Sequence, residues 1–457
     1  MRRLLIGILA LATMLLGCIA PQQASAPQTS ASVPPSPAAS PSPLPRPSPS
    51  AAPIRHINGS LETINGVWVL KLWGSHEEMG YAQGYLAARQ IQALVQSLLG
   101  ASLPEANYEK ALALVNRKIH WPEDYLIELR AMLAGMQDAL GGSLPVISSR
   151  LIEGGAKKLD LNMLALVFSL SDISSVSLCS GFAVWGQATD RGQVMVGGNK
   201  DQLLPPGSQV MEDAAIIVRK PNYGLSTISV NFLQTIGIFW GMNEKGIAAT
   251  FQGSSTPWVE VTAPAYVASV LRRDVLERVT AGPDMVARLR SMFEEHPAAG
   301  SSNGLFVQPK ATWPDAKSDQ MSVVIENDFN GVTPRLPFAN PSYNTPLTDA
   351  IVTTNHFLQR PVPSSFKPPQ WWVDSQQDSR DRYSKMVQVL SKQKISNLSD
   401  IQRVLQSASV PQSIQSVYYE PDAMKIHFAF TKKNDPPSPY ITPVSFTWNE
   451  LFASIPK

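Results

Sequence analysis

The sequence predicts an α+β layered fold, and three observations along the chain point to it. Helical patterns fill the stretch from Ser75 to Leu170, and the apolar period shortens to strand-like runs after Cys179. Helices return from Tyr266, and a last pair of strand-like runs closes the chain. Helices before a mainly antiparallel sheet, then more helices and strands, pack as layers around a core.

Each element has a local reason. Ser75 and Glu78 have the spacing of a helix capping box. The helix after them carries Met79, Ala82, Leu86, Ile91, Leu94, Val95 and Leu98 on one stripe, with Gly100 placed to end it. Gly80, Gly84 and Ala88 recur every four residues, a row that lets another element approach the helix backbone closely. Further helical patterns run from Tyr108 to Lys118, Pro122 to Leu140 and Leu159 to Leu170. The strand-like runs are 182–189, 193–198, 214–219, 226–232, 236–241 and 247–252, broken by turns at Asp190-Arg191-Gly192 and Asn243-Glu244-Lys245-Gly246. Helices follow at 266–279, 283–293 and 379–390, and strands at 415–419 and 425–431 suit a meander.

The first 55 residues read differently. Arg2 and Arg3 precede the apolar run Leu4 to Leu16, too short to cross a bilayer as a mature helix, which is the pattern of a secretory signal peptide. Leu15-Leu16-Gly17-Cys18 resembles a bacterial lipobox, in which the thiol is lipidated and the preceding peptide removed. Residues 20–54 are almost entirely Pro, Ser, Ala and Gln, a composition that cannot bury enough apolar area to order itself. The expected organisation is a signal peptide over 1–18, a proline-stiffened tether over 19–55 and one folded domain over 56–457. The expected location is the extracytoplasmic side of a bacterial cell envelope, with membrane attachment through the lipid alone.

The formal charge of +2 and the lack of a lysine/arginine block argue against a nucleic-acid partner. No second run is long and apolar enough to span a membrane, and no repeat occurs at solenoid periods. The six histidines show no metal-ligand spacing.

The chain has two cysteines. With Cys18 lipidated, Cys179 has no cysteine partner for a disulfide or a four-thiolate site. It opens Cys179-Ser180-Gly181-Phe182-Ala183-Val184-Trp185-Gly186, at the start of the first strand-like run. With the following turn centred near residue 190 or 191, position 179 faces about position 202, and Asp201 comes back beside Cys179.

At these residues the chain resembles a known family. Cys-x-x-Phe-Ala-x-Trp-Gly-x-Ala-Thr-x-x-Gly, followed by Gly-x-Asn-x-Asp, is similar to the C45 autoproteolytic acyltransferases and hydrolases, N-terminal-nucleophile (Ntn) hydrolases related to isopenicillin N acyltransferase and, more distantly, to bile-salt hydrolases and phospholipase B-like proteins. The resemblance extends from Gly74–Gly84 through Gly241-Met242-Asn243-Glu244-Lys245-Gly246, Thr354-Asn355-His356-Phe357 and Arg382-Tyr383. It implies a four-layer αββα sandwich, cut between Leu178 and Cys179 into a helical chain and a catalytic chain. It also implies an amide or ester hydrolase, or an acyltransferase, acting on a small acyl substrate through a Cys179 thioester, with no metal or organic cofactor. By this resemblance Asp201 orients the new α-amine, Asn355 and Gln252 serve the oxyanion, and Arg382 lies near the nucleophile. Two departures stand out: relatives often carry Arg at the position of Gly198 and Asn at that of Gln252.

Other readings compete. Gly300-Ser301-Ser302-Asn303-Gly304 matches Gly-x-Ser-x-Gly, but a helix precedes it and a strand-like run follows, the reverse of a nucleophile elbow. A papain-like Cys179/His356 pair lacks that family's local signature. Trp240, Phe251, Trp371 and Trp372 are candidate walls of an acyl pocket or plain core. A non-catalytic, ligand-binding envelope lipoprotein on the same fold is the alternative from another class.

Overall fold

The first folded element is a hairpin absent from the sequence reading. Asn65 and Gly66 both take left-handed φ, 52° and 79°, the turn whose twist matches that of flanking strands. It folds β1 (Gly59–Ile64) onto β2 (Val67–Gly74), with Ile64 opposite Val67. Ser75 then caps α1 (His76–Leu86): its hydroxyl accepts from Glu78 N, and the Glu78 carboxylate accepts from Ser75 N. The chain turns at Ala87 into α2 (Ala88–Ala101), so the single expected helix is two. After α3 (Tyr108–Lys118) and β3 (Ile119–His120), α4 (Glu123–Ala139) crosses α1 backbone to backbone. A Cβ on Gly80 or Gly84 would lie 2.2 or 2.0 Å from the carbonyl oxygen of Glu128 or Met132. The glycine row is thus a helix crossing, which commits α1 to α4 and leaves α2 to take another course.

The computed structural model describes residues 56–101, 108–148, 152, 155–173, 178–202, 209–337, 347–432 and 434–456. The expected signal peptide, Cys18 and the tether lie outside the described residues. The chain divides at Ile57/Asn58, and Asn58–Lys457 is one unit. No helix among the described residues is long and apolar enough to cross a membrane.

The short strands β4 (Val146–Ser148) and β5 (Ala156–Lys158) and helix α5 (Leu161–Ile173) lead toward Cys179. Beyond it come β6 (Ser180–Gly186), β7 (Gly192–Asp201), β8 (Ala214–Pro221), β9 (Thr227–Phe232), β10 (Trp240–Asn243) and β11 (Ala248–Gly253). Then follow β12 (Ala265–Tyr266), α6 (Ala268–Leu276), α7 (Met285–Glu295), β13 (Ser302–Val307), β14 (Ser322–Asp328), β15 (Gly331–Arg335) and β16 (Ala350–Thr353). The last part is α8 (Gln370–Leu390), α9 (Leu398–Ser407), β17 (Ser413–Glu420), β18 (Lys425–Phe430), β19 (Val444–Thr447) and α10 (Trp448–Phe452). Helix α8 starts at Gln370 instead of residue 379, after Pro369, so Trp371 and Trp372 belong to its first turn.

The described residues build two large sheets. One has the order β1-β2-β8-β9-β10-β11-β13-β14-β15 and is antiparallel except at the β2/β8 pair. The other has the order β16-β6-β7-β17-β18-β19. Their facing sides share one apolar core: Val230, Trp240 and Met242 from the first meet Ala183, Val196 and Val417 from the second. Burying such a side chain contributes about 1.5–3 kcal/mol. Helices α8 and α9 cover the far side of the second sheet, with Met386, Leu390, Val404 and Leu405 packed on Phe182, Val184, Met195 and Tyr418. Helices α1, α6 and α7 cover the far side of the first, where a Cβ on Gly241 would lie 2.9 Å from Leu276 Cδ2. Helix, sheet, sheet, helix is the four-layer αββα sandwich.

Candidate active site

Cys179 stands one residue before β6. Alternation along the strand puts it with Gly181, Ala183 and Trp185 on the side facing the other sheet, where it is 4% exposed. The register corrects the expected pairing. Ser180 pairs with Asn199 and Gly181 with Gly198, so Cys179 stands opposite Lys200 instead of residue 202. The ladder shifts between Val184 and Gly186 and closes with Gly186 opposite Gly192, so the turn spans residues 187–191 and is centred on residue 189 instead of 190 or 191.

Asp201 nonetheless reaches Cys179 through its main chain. Its carbonyl accepts from Leu178 N at 3.5 Å and lies 3.9 Å from Cys179 Sγ. Its side chain falls on the helix-covered side of the sheet, the side on which Asn199 Nδ2 donates to Leu405 O. The carboxylate is buried, and neither of its oxygens has a hydrogen-bond partner among the described residues. Burial pushes the carboxyl up to about 8, against the opposing pull of Arg382's charge and of the Ser413 hydroxyl. Ser413 is Asp201's cross-strand partner, but it makes no well-formed hydrogen bond to the carboxylate.

Arg382, on α8, ties the site together. Nη1 donates to the Cys179 carbonyl at 2.8 Å, Nη2 to Asn355 Oδ1 at 2.8 Å, and Nε to Asp378 Oδ2 at 2.9 Å. Asn355 arrives from β16, which pairs with β6 so that Thr353 lies opposite Gly181. Its Nδ2 donates to Gly253 O at 2.6 Å, which leaves one amide hydrogen for another acceptor. Gln252 projects from β11 toward Gly181: a Cβ there would lie 2.7 Å from Gln252 Nε2, so glycine is required for this approach. Gln252 Nε2 donates to Thr250 Oγ1 at 3.1 Å, and its Oε1 has no partner among the described residues. All five residues named from sequence (Cys179, Asp201, Asn355, Arg382 and Gln252) therefore gather where β6, β7, β11 and β16 end.

Two cations were missed. Lys200 lies on the thiol's side of β7, 6% exposed, with Nζ 4.5 Å from the Phe232 ring centre and 4.1 Å from that of Phe239. Arg272 on α6 lies over the Phe239 ring at 5.9 Å and the Phe251 ring at 4.9 Å. Burial lowers the Lys200 ammonium to about 8, with Cys179 pulling it up and Arg272 pushing it further down. A lysine beside Asn199 and Asp201, at the end of the run Val194-Met195-Val196-Gly197-Gly198, was the available signal. At Gly198 a Cβ would lie 3.2 Å from Ser180 O, a tight contact with the neighbouring strand.

The competing nucleophiles fall away on geometry. Ser302 lies on β13, with α7 before it, and its hydroxyl donates to Asn327 Oδ1 at 2.8 Å. His356 Nδ1 is held by Ser379 Oγ at 2.8 Å and Thr354 Oγ1 at 3.1 Å. Burial, with Arg380, Arg335 and Arg382 nearby, lowers it to about 3, too weak a base to take a thiol proton at neutral pH. Trp240 and Trp372 are anchored in the core by indole bonds to Phe251 O and Ser255 O. Among the described residues, no group of three or more His, Cys, Asp and Glu is arranged to hold a metal ion.

No family model matches the chain. An uncharacterized protein of Archaeoglobus fulgidus is 26% identical over 199 residues, 40% of this chain and 32% of that protein, so the match spans about a third of the relative's length. Among solved structures, the chain is similar to the Caenorhabditis elegans ortholog of N-acylethanolamine-hydrolyzing acid amidase, with TM-score 0.34 and 17% identity over 53% of this chain and 93% of that one. It is also similar to a variant of conjugated bile acid hydrolase from Clostridium perfringens, with TM-score 0.36 and 12% identity over 60% and 93%. Penicillin V acylase from Agrobacterium tumefaciens gives TM-score 0.36 and 14% identity over 59% and 85%. Likenesses at this level assign no activity, and the αββα layering rests on the packing described above.

Proposed function

We propose that the chain is a self-cleaving cysteine amidohydrolase or acyltransferase of the Ntn type, C45-like, acting on an amide or ester of a small acyl group. In the uncut chain Cys179 Sγ attacks the Leu178 carbonyl carbon, and the acyl group shifts from nitrogen to sulfur. Water then cleaves the thioester, giving a Leu178 carboxylate and a free Cys179 α-amine. That amine has a reference pKa of about 7.7–8.0, against about 8.5 for the thiol, so it can take the thiol proton near neutral pH. In turnover Sγ attacks the substrate carbonyl, the leaving group takes that proton back, and water or an amine accepts the acyl group. Asn355 Nδ2 and Gln252 Nε2 are the donors for the developing oxyanion. Anchoring through Cys18 to the extracytoplasmic face of the cell envelope completes the proposal.

The observation that carries this reading is the Asp201 carboxyl, buried beside the Cys179 backbone without a hydrogen-bond partner among the described residues. Arg382 is common to both, donating to the Cys179 carbonyl and lowering the Asp201 carboxyl through its charge. A freed α-amine at Cys179 is the missing donor. Mass and N-terminal sequence of the purified protein test it, wild type beside Cys179→Ala. Two fragments, one beginning Cys-Ser-Gly-Phe, that become a single chain in the variant are expected. A single intact chain in both leaves Cys179 without its base and favours a ligand-binding protein on the same fold.

A further inference from the structure

Lys200 is a buried cation with no acid beside it among the described residues; the one group that favours its charge is the Cys179 thiol. It lies opposite Cys179 in the β6–β7 register and on the same side of the sheet. It makes no hydrogen bond or ion pair with a described residue, and its ammonium rests on the faces of Phe232 and Phe239. A buried charge is ordinarily paired. The buried Arg335 has Glu326, and the buried end of Asp328 has Arg360; Arg219, buried without an acid, at least donates to Thr235 O and Ser229 Oγ. Ring faces replace part of the lost hydration of an ammonium and keep it charged, but they do not cancel its charge. Arg272, over the same Phe239 ring, adds positive potential instead of removing it. Asp201 does not compensate, because its side chain is on the other side of β7 and burial holds it protonated up to about 8. A methionine or leucine would fill the space between the rings without this cost, so the ammonium is kept for what enters beside the thiol.

We infer that the Cys179 site takes ligands bearing a carboxylate, which pairs with Lys200 while the ligand's apolar part lies along Phe232 and Phe239. This rests on the reading of Cys179 as the reacting centre and narrows its substrate class to carboxylate-bearing acyl compounds. Lys200 is then a specificity-determining residue.

Binding to the Cys179→Ala chain tests the site without requiring turnover. Linear carboxylates from butyrate to dodecanoate are titrated calorimetrically beside their neutral amides at fixed ionic strength. The expected result is a preference for the carboxylate of about tenfold or more, the size of a charge-assisted hydrogen bond. Lys200→Met brings the ratio to about one, and Lys200→Arg, which keeps the charge, retains it; both are checked for unchanged thermal unfolding. Equal binding of acid and amide, no binding by any acid, or a preference that survives in Lys200→Met overturns the inference. An uncut wild-type chain that keeps the preference removes the self-cleaving reading and leaves the carboxylate site. A cut chain with no preference does the reverse.

Discussion

Two clusters of buried charge among the described residues are treated in opposite ways. Between α4 and α6, Arg273 Nη1 meets Glu128 at 2.7 Å and Arg273 Nε meets Glu277 at 2.8 Å, while the other Glu128 oxygen takes His76 Nδ1 at 2.7 Å. Every carboxylate in that cluster has a cation, and Arg273 holds Glu128 down to about 2 despite full burial. Around Cys179 the arrangement is the reverse: Asp201 has no hydrogen-bond partner, Lys200 has no acid, and Gln252 Oε1 accepts nothing among the described residues. Paired burial is what a fold needs to hold helices in register. Unpaired burial costs stability and persists where something else, a cleaved terminus or a ligand, completes it.

Breaking the paired cluster has the largest expected effect. Glu128→Ala leaves Arg273 with Glu277 as its one carboxylate and removes the His76 contact, and it should lower stability by about 3 kcal/mol in urea titrations. Activity per folded molecule should be retained, because this cluster sits on the far side of the nine-stranded sheet.

Asp201→Asn should act in the opposite direction on stability. The folded-state carboxyl is raised from 3.8 to about 8, so between these values the native state keeps a proton that the unfolded state has released. Stability therefore falls as pH rises through that window and levels off above it. In the Cys179→Ala background, Asp201→Asn should abolish this slope and stabilise the chain at pH 8 by a few kcal/mol. With Cys179 present, the same change should slow cleavage at Leu178. A pH–stability curve identical with and without Asp201 would falsify the assignment of an orphan carboxyl.

Arg382→Lys keeps a charge but loses the fork that reaches the Cys179 carbonyl, Asn355 and Asp378 together. Cleavage followed by mass spectrometry should slow on the order of 10²-fold, the cost of misplacing reacting groups by about an ångström. Melting should change far less, since α8 remains packed through Met386 and Leu390.

The smallest effect calibrates the others. Arg290 and Glu294 form an exposed pair one turn apart on α7, and Arg290→Ala should cost less than about 0.5 kcal/mol by thermal unfolding.

Much of this was legible in the residues, for identifiable reasons. The Ser75/Glu78 box and the Gly80/Gly84 row act over one or two helical turns, so local spacing suffices to read them. The Asn65-Gly66 turn was equally local and was passed over, although that dipeptide is a strong hairpin signal. Of β13 only the run Leu305-Phe306-Val307 reads as strand-like; the buried strands β14 and β16 hold short apolar stretches without alternation, which periodicity cannot separate from other core segments. Asn355 and Arg382 were named by resemblance; no spacing along the chain links residues 179, 355 and 382. Lys200 was missed because a lysine in a strand is ordinarily solvated, and only the facing nine-stranded sheet shows that this one is not.

By itself the sequence determined the period of each main segment, the change of period at Cys179 and the short list of residues able to carry acyl chemistry, because those depend on side-chain type and near-neighbour spacing. The tertiary structure decided which of them meet. The shift at Gly186 set Cys179 opposite Lys200, β16 brought Asn355 to the thiol, the two-sheet core removed water from Lys200, and the helix layer over β7 removed it from Asp201. Register and desolvation are properties of strands packed far apart in sequence, and no local pattern encodes them.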